Sequence, residues 1–116
     1  MAALPFSKVR RAGGRVFLAG EVPRSADGSV PSGIGPQTDL TLEKIAATLA
    51  GEGLSLADVV SCTVYLADKK DFAAFNEAYA RHFSDPLPVR TTVEAALMLD
   101  AKVEITVIAK EKQAEK

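Results

Sequence analysis

The pattern of apolar and polar positions predicts seven elements: two strands, a helix, a strand, a second helix and two final strands. The first two strands cover residues 6–12 and 15–19. They flank Gly13-Gly14, and paired glycines suit the positive φ angles of a two-residue turn. The chain is therefore expected to begin with a β-hairpin.

A long loop is predicted after this hairpin. Residues 20–37 contain four glycines and three prolines, a density that leaves no room for a strand or a helix. Loops of this length are uncommon in compact domains and are often functional. The segment lacks the Lys-Ser/Thr pair of a phosphate-binding loop, so we expect it near a different kind of cleft.

The first helix repeats apolar residues at helical spacing. Thr38 or Asp39 is placed to cap its start, and Gly51 or Gly53 is placed to end it. The stripe expected to be buried consists of Leu42, Ile45, Ala46 and Leu49.

The second helix is predicted over residues 68–83, with Asp68 or Asp71 as its cap. Asn76 lies inside its apolar stripe. Burying an unpaired amide costs about 1–3 kcal/mol, so Asn76 must find a partner, either a loop or a ligand. The apolar members of the stripe are Phe72, Phe75, Tyr79 and Phe83.

The strand at residues 59–67 separates into two faces, because side chains alternate with a period of two. Cys62 alternates with apolar residues and is expected to fill the core rather than act as a nucleophile. The predicted core face consists of Val60, Cys62, Val64 and Leu66, and the semi-polar face of Ser61, Thr63 and Tyr65.

Residues 88–107 are interpreted as a second hairpin that turns at residues 100–102. This pairing places Arg90 and Glu104 on the same face, with Glu104 opposite Met98. Arg90 and Met98 would then be about 26 Å apart at about 3.3 Å per residue, so a second subunit must supply one charge if both share a site. The predicted apolar sets are Val89, Thr91, Val93, Ala95, Leu97 and Leu99 on one strand, and Val103, Ile105, Val107 and Ala109 on the other.

Helices that alternate with an amphipathic sheet favour an α+β fold, a two-layer sandwich with both helices on one sheet face. The other face mixes Thr, Ala, Tyr and Met with a few charged residues. This mixture suits an interface better than open water or a sealed core. We therefore predict that the non-helical face is an assembly surface.

Length and composition indicate a single domain over residues 1–116, with a charged tail at 110–116 that should fray. The net charge is −1, and no basic stripe suggests a nucleic-acid partner. No apolar run reaches the length of a membrane span, the first residues lack the order of a signal peptide, and the single Cys62 excludes an internal disulfide. These features favour a cytoplasmic protein.

Five segments, in this order and spacing, resemble the RidA (YjgF) family of reactive-intermediate deaminases. They are PFSKVRRAGGRVFLAGEVP, QTDLTLEKIAATL, GLSLADVVSCTVYLADKKDFAAFNEAYARHF, PVRTTVEAAL and VEITVIA. The resemblance implies a chorismate mutase-like fold of the Bacillus type, with a mixed sheet and two helices on one face. It also implies a homotrimer whose active sites lie in clefts between subunits.

The best-known members of this family hydrolyse enamines and imines such as 2-aminoacrylate and 2-iminopropanoate to 2-keto acids and ammonia. The resemblance assigns the substrate carboxylate to Arg90 and the attacking water to Glu104. An arginine fork grips a carboxylate through two hydrogen bonds, and a carboxylate side chain can carry a proton from water to a leaving amine. Neither a metal nor a cofactor is expected. Further cleft positions implied by the resemblance are Asn76, Phe6, Thr92, Ala19 and Gly20.

Several positions depart from the family pattern. Phe6 stands where many members have a tyrosine, and Ala19 stands where a serine is common. Thr92 takes the place of a cysteine found in several members, and the last loop lacks the usual Leu-Pro. These departures leave two alternatives open: a trimer that binds a 2-keto acid without turning it over, and a related hydrolase acting on another C–N bond. Some members are reported as translation inhibitors or RNA-cleaving proteins, a role that the missing basic patch disfavours.

The candidates also have purely structural interpretations. Arg90 could be a surface residue at the start of a strand, and Glu104 could pair with Lys102 or Lys110. His82 lies near a helix C-terminus, where a cation is favoured, and is not expected to be catalytic.

Overall fold

The computed structural model describes residues 3–112, which form one five-stranded sheet and two α-helices. Short 3₁₀ turns at Leu56–Asp58 and Lys69–Asp71 precede the third strand and the second helix. The predicted order of the seven elements is confirmed. Their bounds are β1 Val9–Ala12, β2 Arg15–Leu18, α1 Ile34–Gly51, β3 Val59–Leu66, α2 Phe72–Ala80, β4 Val89–Glu94 and β5 Val103–Lys110.

The predicted first hairpin is confirmed. β1 and β2 are antiparallel, and Ala12 pairs with Arg15 on either side of the turn. Gly13 and Gly14 have φ angles of 59° and 76°, which few residues other than glycine adopt. The first strand begins at Val9, three residues later than predicted.

The strands are ordered β1-β2-β5-β3-β4 across the sheet. β3 and β4 are parallel, whereas the other neighbouring pairs are antiparallel. α2 connects β3 to β4, and a helical crossover is the usual way to place consecutive strands parallel. The predicted hairpin between the last two strands is therefore wrong, because β3 lies between them and residues 95–102 connect them as a loop.

The core face predicted for β4 is also wrong. Val89 and Val93 are 71% and 43% exposed. β4 is an edge strand, and its register with β3 turns both valines away from the helices. The apolar set predicted for β5 is confirmed, since Val103, Ile105, Val107 and Ala109 are fully buried.

The core lies between one face of the sheet and the two helices. Inward side chains of β2, β3 and β5 meet the apolar stripes of α1 and α2, and the helices pack against each other. Both helices cover the same face, so the predicted two-layer α+β sandwich is confirmed. The most deeply buried side chains include Val16, Leu42, Ile45, Leu49, Val64 and Phe75.

The face prediction for β3 is right from Cys62 onward and wrong at Val60. A register irregularity between Val59 and Ser61 inserts one extra residue opposite β5. Such a bulge shifts the alternation of side chains, so Val59 is 4% exposed whereas Val60 is 39% exposed. Val59 therefore takes the core position predicted for Val60.

α1 begins at Ile34, one turn earlier than predicted, and neither Thr38 nor Asp39 caps it. Pro36 does not prevent this start, because amides in the first turn of a helix lack intrahelical partners and proline is tolerated there. Thr38 is instead fully buried inside the helix. The prediction that residues 20–37 contain no helix is therefore wrong at their C-terminal end.

The predicted end of α1 is confirmed. The helix ends at Gly51, and Gly53 then adopts a φ of 77°. The amide of Leu54 donates a hydrogen bond to the carbonyl of Leu49, which closes the last turn.

The predicted cap of the second helical segment belongs to its 3₁₀ turn. The side chain of Asp68 accepts a hydrogen bond of 2.9 Å from the amide of Lys70. α2 itself starts at Phe72 after Asp71, which makes no side-chain capping bond. It ends at Ala80, three residues before the predicted end.

A buried side chain of α1 ties two loops to the helix. Gln37 is 5% exposed, its Nε2 donates to the carbonyl of Pro31 at 2.9 Å, and its Oε1 accepts from the amide of Lys102 at 2.7 Å. A buried amide needs such partners, because leaving it unpaired costs about 1–3 kcal/mol. The loops before α1 and before β5 are therefore held by one residue.

The first residues of the predicted tail contact the rest of the domain. Lys110 belongs to β5, and the amide of Glu111 donates a hydrogen bond to the carbonyl of Gly14. The fraying of this tail stays a prediction. Residues 113–116 of the predicted tail lie outside the described residues.

Two glycines at the end of α1 should respond in opposite directions to the same substitution. Gly53→Ala is expected to lower the free energy of unfolding by about 1–2 kcal/mol, because an L-residue is strained at its positive φ. Gly51→Ala should raise it by up to about 1 kcal/mol, because the position is helical and a Cβ there meets no atom within 4 Å. Urea denaturation measures both values, and a loss of equal size at the two positions would contradict the assigned helix end.

Candidate active site

Arg90 lies on the sheet face that the helices cover. In the parallel register it pairs with Cys62, whose side chain is in the core. Paired residues on neighbouring strands point to the same face, so the prediction that placed Arg90 on the non-helical face is wrong. Because β4 is an edge strand, the side chain is only partly buried at the rim between sheet and helix.

Four residues of α2 contact the Arg90 guanidinium. Arg90 Nη2 donates a hydrogen bond of 2.7 Å to Asn76 Oδ1. Asn76, the polar residue of the predicted stripe, is thus partnered by an arginine rather than by a loop. The Arg90 Cζ atom also lies within cation–π range of three ring centres, at 4.7 Å from Tyr79, 5.3 Å from Phe75 and 5.8 Å from Phe72.

The guanidinium has no acidic partner within the described part of the chain. No carboxylate of residues 3–112 lies within 4.0 Å of it, and its hydrogen bond to Asn76 uses one N–H. An arginine side chain has further donors in a planar fork that matches a carboxylate. The arrangement can therefore bind a small carboxylate at the rim.

Thr92 follows on the same face of β4, where it pairs with Val64. It lines a cleft of about 210 Å³ between β4 and α2. The structure thus brings together three of the residues predicted for the site, Arg90, Asn76 and Thr92, which we call the arginine cluster. Of these three, only Thr92 lines the cleft, together with Leu66, Lys69, Phe72, Val93 and Glu94.

Glu104 occupies the opposite face of the sheet. It pairs with Tyr65, which alternates with the buried residues of β3. The side chain of Glu104 has no hydrogen bond or ion pair with any residue of 3–112, so the alternative in which it pairs with Lys102 or Lys110 is wrong. Its half-buried carboxylate is free to contact a ligand or a second chain.

Gly20 provides the space for the Glu104 carboxylate. A Cβ at Gly20 would overlap Glu104 Oε2 and would lie 3.1 Å from the hydroxyl of Thr106. This close approach follows from an isolated bridge in which Glu21 and Ile105 exchange two backbone hydrogen bonds. Residues 20–37 were predicted to contain no regular structure. This bridge is the second exception, after the start of α1 at Ile34.

Ala19 and Phe6 lie close to Gly20. The amide of Ala19 donates to the carbonyl of Lys8, and Phe6 is 61% exposed. These three residues line an open cleft of about 490 Å³. We call Phe6, Ala19, Gly20 and Glu104 the glutamate cluster.

The sheet separates the two clusters. Arg90 is level with Cys62 and Glu104 with Tyr65, on the two strands that flank β3. At about 3.3 Å per residue and about 4.8 Å per strand, their Cα atoms are roughly 14 Å apart, with side chains on opposite faces. The 26 Å estimate was wrong, yet a single chain still does not bring the two charges together.

His82, two residues after the end of α2, contacts Asp39 of α1. Its Nε2 lies 2.7 Å from Oδ1 of Asp39, and Arg81 Nη2 lies 3.2 Å from Oδ2 of the same carboxylate. The hydrogen bond with His82, followed by that with Arg81, holds the pKa of the Asp39 carboxyl below its usual value. This packing role explains His82 without catalysis.

Cys62 is 1% exposed, which confirms its predicted place in the core. Burial raises the pKa of its thiol, and a protonated buried thiol is a poor nucleophile. Burial also raises the pKa of Tyr79, whose hydroxyl has no hydrogen-bond partner in the described residues.

A metal centre was not expected, and residues 3–112 contain no group of three His, Cys, Asp or Glu side chains that could hold a metal ion. None of the helices in this range is long and apolar enough to cross a membrane.

Two features of the clusters were not predicted. The first is the contact between α2 and Arg90. Two features of the sequence could have indicated it: Asn76 lies within the aromatic stripe of a helix, and that helix connects two strands, as in a parallel crossover. The second is the contact between Gly20 and Glu104, which depends on a bridge that no local pattern indicates.

The sequence profile of one protein family, described as Endoribonuclease L-PSP, matches residues 1–111. A RutC family protein of Pyrococcus horikoshii is 43% identical over 108 residues, which cover 90% of this chain and 86% of that protein. TdcF of Escherichia coli, provisionally named a reactive intermediate deaminase, is 36% identical over 102 residues, which cover 84% of this chain and 79% of that protein.

The crystal structure of Escherichia coli TdcF with bound serine matches with a TM-score of 0.88 and 34% identity, over 96% of this chain and 91% of that one. This likeness confirms the predicted chorismate mutase-like fold. MMF1 of Saccharomyces cerevisiae, mitochondrial by its name, is 35% identical over 113 residues, which cover 96% of this chain and 78% of that protein. The cytoplasmic location predicted for this chain stays a prediction.

Asp39 should contribute to stability in a pH-dependent way. Its folded-state pKa lies below the ordinary value of 3.8, because His82 and Arg81 stabilise the charged carboxylate. The contribution is therefore fully present above that ordinary value and is lost as the pH falls through the lower folded value. We expect Asp39→Asn to be less stable than the wild type near neutral pH and to converge with it in acid.

Chemical denaturation across the acid range measures this convergence. Glu43→Gln is the control, because Glu43 is exposed on the same helix and makes no hydrogen bond to residues 3–112. A stability difference for Asp39→Asn that stays constant into acid would show that the carboxylate contributes nothing as a charged group.

Proposed function

The chain belongs to the YjgF/RidA family, and on this premise we propose that it hydrolyses 2-imino and 2-enamino acids to 2-keto acids and ammonia. Substrates of this class include 2-iminopropanoate and 2-aminoacrylate. The observation that carries the proposal is the Arg90 guanidinium, held at an open rim by Asn76 with no acidic partner in the described residues. The similarity to TdcF supports the reaction class.

Arg90 is the proposed carboxylate-binding residue. The Asn76 contact fixes one side of the guanidinium and leaves other N–H groups for a two-bond contact with an α-imino acid. Serine, bound in the related TdcF structure, is a small amino acid that carries the same carboxylate group. A ligand held this way presents its imine carbon beside the rim.

We infer that the complete site forms between subunits of a homotrimer. Arg90 and Glu104 lie on opposite faces, and neither has an oppositely charged partner in the described residues. The non-helical face also exposes apolar side chains, with Phe17 at 38% and Val89 at 71% exposure. Packing this face against the open β4 edge of a neighbour would cover them and bring Glu104 to the neighbour's Arg90.

The proposed reaction begins with a protonated imine whose carboxylate is bound by Arg90. An enamine reaches this state when its terminal carbon takes up a proton. Glu104 removes a proton from water as the water oxygen attacks the imine carbon, which forms a neutral carbinolamine. Proton transfer of this kind typically contributes about 10²–10⁴-fold to a rate.

Collapse of the carbinolamine completes the reaction. Glu104 returns its proton to the amine nitrogen, the C–N bond breaks, and a lone pair of the hydroxyl oxygen forms the carbonyl. The hydroxyl proton passes to the departing ammonia, which leaves as ammonium. The side chain of Glu104 is a carboxylate again, and the product is a 2-keto acid.

RNA cleavage is the second candidate, because the matched family profile is described as an endoribonuclease. The chain offers little for it: the net charge is −1, and its one histidine is bonded to Asp39. Salt-dependent binding and cleavage of RNA by the purified protein would favour this candidate over the deaminase.

The shared site can be tested with two variants that are inactive for different reasons. Arg90→Ala removes the carboxylate contact, and Glu104→Gln removes the proton carrier. The two chains are co-expressed with different tags, and mixed trimers are isolated through both tags. Every mixed trimer then contains one site with both wild-type residues, so about one-third of wild-type activity is expected.

The measurement is pyruvate release in a coupled assay with serine and a serine dehydratase. Each variant alone is the matched control. The rate of pyruvate release should fall by about 10²-fold or more for Glu104→Gln alone. Mixed trimers no more active than the single variants would refute a site shared between chains. Wild-type protein that does not accelerate pyruvate release would refute the proposed function itself.

Gly20→Ala should lower kcat with little change in KM. A Cβ at Gly20 would overlap Glu104 Oε2, so the carboxylate must move while the arginine cluster stays intact. Misplacing a catalytic group by about 1 Å can cost up to about 10²-fold in rate. Gly35→Ala is the control, since a Cβ there meets no atom within 4 Å. An unchanged kcat for Gly20→Ala would argue against Glu104 as the proton carrier.

A further inference from the structure

Residues one turn apart on α2 hold the charged end of Arg90. Asn76 bonds one nitrogen, and the ring of Tyr79 has its centre 4.7 Å from Cζ, the shortest of the three cation–π distances. A hydrogen bond alone lets a guanidinium swing about the donor nitrogen. A ring against the planar group restricts that motion, and together the two contacts define its orientation.

Tyr79 is the nearest of the three rings to the guanidinium, and it is also held in place. It is 8% exposed, and its own ring packs against Phe75 at 5.4 Å and against Phe83 at 4.6 Å. Phe75 is fully buried but lies further from Cζ, at 5.3 Å, and Phe72 is 45% exposed at 5.8 Å. Tyr79 therefore combines the shortest contact with a buried position.

The hydroxyl of Tyr79 lies near the Cys62 thiol, which is a weak hydrogen-bonding group. The hydroxyl is buried with no well-formed hydrogen bond in residues 3–112, whereas a buried tyrosine hydroxyl usually has one. A tyrosine is neutral near pH 7, and burial raises the pKa of Tyr79 further, so this side chain does not compensate the positive charge of Arg90. The ring, rather than the hydroxyl, is the group in useful contact.

We propose that Tyr79 is a positioning residue whose ring fixes the guanidinium plane of Arg90, so that the fork faces an incoming carboxylate. The carboxylate part of this proposal rests on the proposed function, but the orientation of Arg90 does not. Tyr79 does not touch the reacting atoms and acts only through Arg90.

The chain offers a matched control for the loss of an aromatic ring. Phe83 packs on the opposite end of the same aromatic stack and belongs to the edge of the core, but it makes no cation–π contact with Arg90. Tyr79→Leu and Phe83→Leu each remove a ring from this stack. Only the first removes the contact with the guanidinium.

The direct readout is the NMR signal of the Arg90 Nε–H group, assigned by its disappearance in Arg90→Lys. Tyr79→Leu should lower the order parameter of this group, whereas Phe83→Leu should lower it much less, because the Tyr79 ring stays beside the guanidinium. Tyr79→Phe keeps the ring and should restore the wild-type value. If Tyr79→Leu does not fold, Tyr79→Met also removes the aromatic ring, and its longer side chain fills more of the space.

Calorimetric titration with pyruvate gives the second readout. Loss of a partly buried cation–π contact should weaken the binding of pyruvate by roughly tenfold in Tyr79→Leu, and the effect of Phe83→Leu should be clearly smaller. Equal changes in both variants would mean a packing effect, and an unchanged Arg90 order parameter in Tyr79→Leu would overturn the proposal. Wild-type protein that binds no pyruvate would refute the proposed function, while the NMR result would still decide the role of Tyr79.

Discussion

The parallel pairing of β4 with β3 is the constraint on which the rest of the candidate site depends. It places Arg90 level with Cys62, so a charged residue at the sheet edge faces the aromatic side of α2. A shift of one residue would send the guanidinium to the opposite face and leave Asn76 as a half-buried amide without its partner. The helix that crosses from β3 to β4 thus supplies both the direction of the strand and the surroundings of its arginine.

The elements were predictable where their signals are local. Gly13-Gly14 requires a turn, and the alternation of β5 requires one buried face. The pairing of β4 was not predictable in this way, because the same alternation suits a hairpin and a crossover, and only long-range packing decides between them. The bulge at Val60 has the same origin, since an extra residue in one strand is recognised only against its partner.

The candidate residues came from a resemblance, and their geometry had to come from the structure. Sequence reasoning placed Arg90 and Glu104 on one face, whereas the sheet lies between them. Neither charge has an oppositely charged partner in the described residues, and each is half-buried at the surface of the chain. This arrangement is the physical basis of our proposal that the site is shared between chains.

The two hydrogen bonds of the Gln37 side chain affect how the loops before α1 and β5 move. The side-chain amide holds the carbonyl of Pro31 and the amide of Lys102, so neither loop opens without breaking a bond to the same side chain. The two loops are therefore coupled through one buried amide, because opening either loop leaves half of that amide without its hydrogen bond. Since Lys102 directly precedes β5, each such opening also loosens the strand that carries Glu104.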